Sequence, residues 1–211
     1  MRTALVVAVL LASGSCCTQP APSTCPPCPA CPQAGAQAGS AATPATFTDN
    51  QGTAVTFELG AQAFADRVAS SEPGDRAPTA SGWTNPAAAL AAPDYQGERD
   101  DPATAVTLGC GGVLVVEFVD NALVDAAGAD LHVFECGPDV EAMHVAISTD
   151  GTSWAEVGDV RGQPAQVDIA AVSTPNAQYR FVRITDLRES CSSSYPGADI
   201  DAVGAIHAVA L

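Results

Sequence analysis

The sequence predicts an all-β sandwich of jelly-roll type, and three observations carry that expectation. Short runs rich in Val, Ile, Phe and Thr recur about every 8 to 12 residues, separated by Gly, Asp, Asn and Pro. Apolar residues at helical spacing are nearly absent. The stretch Ala146 to Val157 reads as a hairpin. There Val145 and Ile147 alternate with small residues, Asp150-Gly151 offers a tight turn because Gly takes positive φ cheaply, and Trp154 and Val157 begin a return strand.

Taken in chain order, Thr53 to Leu59 alternates as a strand does, and a second strand is expected over Phe64 to Val68. Ser70 to Gly82 carries Gly and Pro and reads as a loop. Asn85-Pro86-Ala87-Ala88-Ala89-Leu90 suits one or two helical turns, with Asn as cap and Pro in the first turn, until Pro93 stops it. The segment from Asp94 to Pro102 is a further loop. Strands are then expected at Ala105–Leu108, Val113–Val119, Leu131–Glu135, Met143–Ser148, Trp154–Asp159, Ala165–Ile169, Tyr179–Asp186 and Ala202–Ala208. Val113 to Val116 and Phe181 to Ile184 read as central strands. The long loops favour a jelly roll over an immunoglobulin arrangement. This folding segment is residues 47–211, a usual size for one domain.

Two segments precede it. Residues 1–17 form a secretory signal, with a positive start, an apolar run from Ala4 to Ala12 and small residues before Cys16. The ending is similar to a bacterial lipoprotein box, which implies acylation of Cys16 and anchoring in the membrane through the lipid. Ordinary signal cleavage nearby is the alternative, and Ser13 stands where such boxes carry Leu. Residues 18–46 contain neither charged nor aromatic side chains and cannot bury a core, so they read as a Pro/Cys/Ala-rich tether. Cys25, Cys28 and Cys31 lack a fourth zinc ligand nearby and read as disulfide formers in an oxidising compartment.

The net charge of −16 comes from 24 acidic and 8 basic residues, and every basic one is Arg. The absence of Lys removes Schiff-base and P-loop lysine chemistry. An acidic surface of this kind repels phosphate backbones, so nucleic acid is excluded as a partner. No hydrolase or phosphate-loop motif occurs, and His132, His144 and His207 are each interleaved with apolar residues in expected strands. The expectation is therefore a protein that is not an enzyme.

The hairpin, then Tyr179-Arg180-Phe181-Val182-Arg183-Ile184, then Asp199-Ile200-Asp201-Ala202-Val203 near the end, resembles the galactose-binding-like β-sandwich group that includes discoidin and coagulation-factor C-type domains. Ala89-Leu90-Ala91-Ala92-Pro93-Asp94 and Gly197 to Gly204 resemble segments recurring in sandwich domains of bacterial surface and outer-membrane proteins. The resemblance implies non-enzymatic binding or display at the cell envelope, with a cell-surface glycan or peptidoglycan as the partner. A purely structural surface domain and a glycan-directed hydrolase are the alternatives. Against the discoidin pattern, Tyr95 replaces a loop glycine and no disulfide closes the termini.

Candidate sites follow. Trp83, Tyr95 and Tyr195, all in expected loops, with Arg188 close by, would make a sugar-stacking face, unless the aromatics plug the end of the sandwich. Asp94, Asp199 and Asp201 would hold a structural calcium ion, since Asp199 and Asp201 share a strand face. The alternative is that the two strand carboxylates cap turns. Cys110 and Cys191 lie in Gly- and Ser-rich turns and would form a disulfide, leaving Cys136 over.

Overall fold

The computed structural model describes residues 42–76, 78, 82–97, 104–137 and 140–211. The signal segment, Cys16, and nearly all of the tether with Cys25, Cys28 and Cys31 lie outside the described residues. The strands are β1 (Ala45–Thr48), β2 (Ala54–Phe57), β3 (Arg67–Glu72), β4 (Val106–Thr107), β5 (Val113–Glu117), β6 (Asn121–Leu123) and β7 (Leu131–Glu135). They continue with β8 (Met143–Ser148), β9 (Ala155–Val160), β10 (Gln166–Val167), β11 (Phe181–Asp186), β12 (Asp199–Ala205) and β13 (Ala208–Ala210). Helix is confined to two 3-10 turns, Gly60–Ala63 and Pro86–Ala89. The second is the capped turn expected from the sequence, since the Asn85 side chain accepts from the N–H of Ala87.

A five-stranded antiparallel sheet, in the order β3-β5-β11-β8-β9, faces a four-stranded one, in the order β10-β7-β12-β4. The all-β sandwich is thus present, with the chain exchanging sheets repeatedly along its length. The core fills the space between the sheets. Leu114 and Val116 of β5, Val182 and Ile184 of β11 and Met143, Val145 and Ile147 of β8 meet Leu131 and Val133 of β7 and Ile200 and Val203 of β12. Alternation explains the set, because every second residue of each strand points inward. A two-stranded ribbon of β6 and β13 pairs the chain end with the middle of the sequence.

A hairpin of β1 and β2 lies on the outer face of the four-stranded sheet. It buries Phe57 with Phe64, Phe134 and Ala202, and Phe47 packs against them from the rim. A Cβ placed on Gly204 would meet the Phe57 ring at 2.6 Å and the Phe64 ring at 2.9 Å, so this strand position has room only for glycine. The Asn50 side chain donates to the Gly137 carbonyl, and that of Gln51 to those of Glu135 and Gly137, fastening the hairpin turn to the sheet. His132 is buried beneath this cover, its Nε2 3.3 Å from Asp49 Oδ2 but poorly aligned for a hydrogen bond. Burial holds the imidazole well below its ordinary pKa, down to about 4. Among the described residues the first strand, β1, starts at Ala45, two residues before Phe47.

Candidate functional site: a groove on the five-stranded sheet

The outward residues of the five-stranded sheet follow from its register. Glu72, Val113, Thr185 and His144 lie in one row across β3, β5, β11 and β8. Ser70, Val115, Arg183 and Ala146 make the next row. Phe181 stands opposite Glu117 at one end. Where the inward residues are mostly apolar, these are mixed, and Ser70, Glu72, Val113, Arg183 and Thr185 reach solvent while Val115 and Ala146 are buried.

The connection from β8 to β9 raises one wall over this face. It runs from Thr149 to Trp154, one residue longer than the expected strand ends leave, because the return strand starts at Ala155. The Asp150 carboxylate accepts from the N–H groups of Thr152 and Ser153, each at 2.8 Å, and Ser148 Oγ accepts from that of Gly151 at 2.9 Å. Those N–H donors keep the Asp150 carboxyl well below the ordinary carboxylate range. Gly151 takes φ 73°, as the turn requires. Trp154 is thereby set just before β9 and over the sheet, rather than inside it. The Arg183 guanidinium carbon lies 4.6 Å from the centre of its ring.

The result is a groove of about 620 Å³. Val113 and Val115 form an apolar floor, Trp154 and Phe181 supply aromatic surface, and Ser70, Glu72, Arg183 and Thr185 supply polar groups. The lining is thus mixed, with polar side chains and aromatic rings side by side along an open groove.

The loop end of the sandwich, where the sequence placed the binding site, is built differently. Trp83 is 2% exposed and packs with Ala105 and Cys136. Tyr195 meets it edge-on with ring centres 4.9 Å apart, and Tyr95 does so at 6.5 Å. Trp83 is therefore a core plug, and the two half-buried tyrosines brace it instead of forming an open stacking face. Arg188 reaches Asp75, Nη1 to Oδ2 at 2.6 Å. The disulfide Cys110–Cys191 is present, with Cα atoms 5.3 Å apart, and Cys136 is buried outside it.

The three aspartates expected to hold calcium diverge in their partners. Asp201 accepts from the N–H groups of Asp94 and Tyr95, at 3.2 and 3.3 Å. Asp199 accepts from the hydroxyl of Thr107. A bulge between Ile200 and Ala202 separates the two carboxylates along β12. Among the described residues, the groups of three whose ligand atoms come within 4.8 Å of one another are Cys110, Asp186 and Cys191, and Asp125, Asp130 and Asp168; Asp94, Asp199 and Asp201 are not such a group. The carboxylate of Asp201 closes the 94–95 loop, as the turn-capping reading holds. Burial raises its pKa to about 7 despite those two donors.

Beside it, Glu135 is 2% exposed and accepts from the N–H groups of Glu141 and Asp199, at 2.8 and 3.3 Å. Burial pushes both the Glu135 and the Glu141 carboxyl upward, and their closeness adds to the shift at Glu135. Glu135 ends β7, Asp201 lies within β12 and Glu141 just precedes β8, and none of the three lines the groove.

Sequence reasoning thus named the hairpin that carries Trp154 and the strand that carries Phe181 and Arg183, but did not see that they share one face. The signal available was the alternation of Phe181, Arg183 and Thr185 against Val182 and Ile184.

No family model matches the chain, and no curated protein is similar to it. Among solved structures, a glycoside hydrolase is similar with a TM-score of 0.36 at 12% identity, over 74% of this chain and 38% of that one. The chain thus spans well under half the length of that protein, and so slight a likeness carries no argument about this one.

Proposed function

We propose that this protein is a non-enzymatic binding module that takes a section of glycan chain into the groove on its five-stranded sheet. The single observation behind this reading is the pairing of Trp154 and Phe181 with Ser70, Glu72, Arg183 and Thr185 over an apolar floor. Sugar rings offer an apolar face to stack on an aromatic ring and hydroxyls at the edge for hydrogen bonds. Among the described residues that line the groove, Glu72 is the one carboxylate. Hydrolysis of a glycosidic bond needs two carboxyls flanking it, so binding without turnover is favoured. The lipoprotein-like Cys16 and the tether would hold the module at the cell envelope, where peptidoglycan and surface glycans are the accessible partners.

Affinity electrophoresis of the purified protein in gels containing soluble polysaccharides, together with sedimentation with peptidoglycan sacculi, tests the proposal. Retardation or co-sedimentation should fall about tenfold in Trp154→Ala, the loss expected of a central aromatic anchor. The melting temperature should stay nearly unchanged, since Trp154 lies outside the core. Absence of binding to every probe would refute the reading, as would undiminished binding by the variant.

A further inference from the structure

His144 occupies an unusual position beside the groove. It stands on β8 opposite Asp159 of β9 and Thr185 of β11. Its Nδ1 is 2.7 Å from Asp159 Oδ1 and its Nε2 is 2.9 Å from Glu156 Oε2. Both ring nitrogens therefore face carboxylate oxygens at hydrogen-bond distance. A neutral imidazole carries one N–H and one lone pair, so only the imidazolium can donate to both. The arrangement is that of a protonated histidine.

The same carboxylate continues the chain of contacts. Glu156 Oε1 accepts from Arg183 Nη2 at 2.7 Å, and the Arg183 guanidinium lies over Trp154. On the other side Asp159 is held by Arg161, which also pairs with Glu189. The charged groups around His144 are thus Asp159 and Glu156 on β9, Arg183 on β11, and Arg161 with Glu189 behind Asp159.

We propose that His144 is a positioning residue of the groove: through Glu156 it fixes Arg183 against Trp154, so that loss of its proton loosens the aromatic wall and weakens ligand capture. This rests on the groove being the binding site. When the proton leaves, the shorter contact, to Asp159, keeps the remaining N–H. The Nε2 lone pair then confronts the Glu156 carboxylate, two acceptors with no hydrogen between them. Glu156 turns away, and Arg183 loses the partner that orients it. The contacts to Asp159 and then Glu156 raise the His144 pKa above its usual 6.5, so the imidazolium is kept at low pH and lost as pH rises. Because Glu156 is more than half exposed, the coupling has the size of a surface ion pair, up to about fivefold in affinity.

The test reads Trp154 emission in the full chain, without any ligand, between about pH 6 and about pH 9, bracketing the histidine range. Trp154→Phe serves as the control: subtracting its emission at each pH removes the contribution of Trp83, whose neighbour Tyr95 donates its N–H to the titrating Asp201, and the difference is the signal read. Wild type should show a single titration, absent from His144→Gln and from Glu156→Gln, both of which keep their size and sit at the surface. A flat wild-type profile overturns the proposal, as does an unchanged titration in His144→Gln. Retardation by the polysaccharide that binds best should weaken by up to about fivefold over the same interval in wild type and stay constant in His144→Gln. Emission that titrates as expected in a protein retarded by no polysaccharide would support the coupling of His144 to Trp154 and overturn the glycan reading alone.

Discussion

Cutting the Cys110–Cys191 disulfide gives the clearest quantitative prediction. Cys110 and Cys191 are 81 residues apart in sequence, so their bond closes a long loop in the unfolded chain. The chain-entropy relation for a loop of that length gives a stabilisation of about 4.5 kcal/mol at 25 °C. In the folded state the bridged loops are held by other contacts as well. Asp186 accepts from the N–H groups of Gly111, Arg188 and Ala198, tying together the segments on either side of the bridge. A Cβ on Gly74 would meet the Cys110 carbonyl at 2.4 Å, so the 74 loop packs directly on the bridged one. Those contacts survive in Cys110→Ser/Cys191→Ser, which should fold and differ mainly through its less constrained unfolded state. Guanidinium unfolding followed by far-UV circular dichroism should show a loss of about 4.5 kcal/mol and a somewhat steeper denaturant dependence, because the uncrosslinked unfolded chain exposes more surface. A loss under about 1 kcal/mol with an unchanged slope would refute the reasoning.

Trp83→Ala should cost about 3–5 kcal/mol, the range for truncating a buried aromatic, whereas Trp154→Ala should stay within about 1 kcal/mol; thermal melts of the two separate plug from groove wall. Gly204→Ala forces a methyl into the Phe57 and Phe64 rings and should cost about 1–3 kcal/mol by denaturant titration. Asp201, Glu135 and Glu141 all have folded pKa values raised above their unfolded ones by burial. Their contribution to stability is full below the ordinary carboxylate range and is lost as pH rises, for Asp201 through about 7. Asp201→Asn should therefore flatten the fall in melting temperature between about pH 4 and about pH 7, and an unaltered slope would remove Asp201 from the explanation. Millimolar calcium and chelator should give the same melting curve, because Asp201 is already occupied by backbone donors; a calcium-dependent rise that disappears in Asp94→Ala would contradict this.

Strands stabilised by their own alternation were legible in the sequence. β7 and β8 fall on Leu131–Glu135 and Met143–Ser148 as expected, since Leu131 and Val133 of one and Met143, Val145 and Ile147 of the other alternate toward the core. β1 was not legible. Ala45 to Thr48 closes a stretch without charge, and its strand state comes from pairing with β2 and from Phe47 reaching the buried aromatics. β6 and β13 are short and exist because the chain end returns to the middle of the sequence. The aromatic residues separate for the same reason. Trp83 and Trp154 both sit among turn-forming residues, yet one is enclosed by Ala105, Cys136 and two tyrosines while the other lies over a sheet. Local sequence holds no record of which surface a loop will meet. The groove likewise depends on the order β3-β5-β11, in which strands far apart in sequence lie side by side.

The most direct measurement is an amide and indole NMR titration of the protein with a soluble oligosaccharide selected by the electrophoresis. Shift changes should centre on Val113, Val115, Phe181, Arg183, Thr185 and the Trp154 indole N–H, and leave the Trp83 indole unmoved. Changes centred instead on Trp83, Tyr95 and Tyr195 would contradict the assignment of the groove as the binding site.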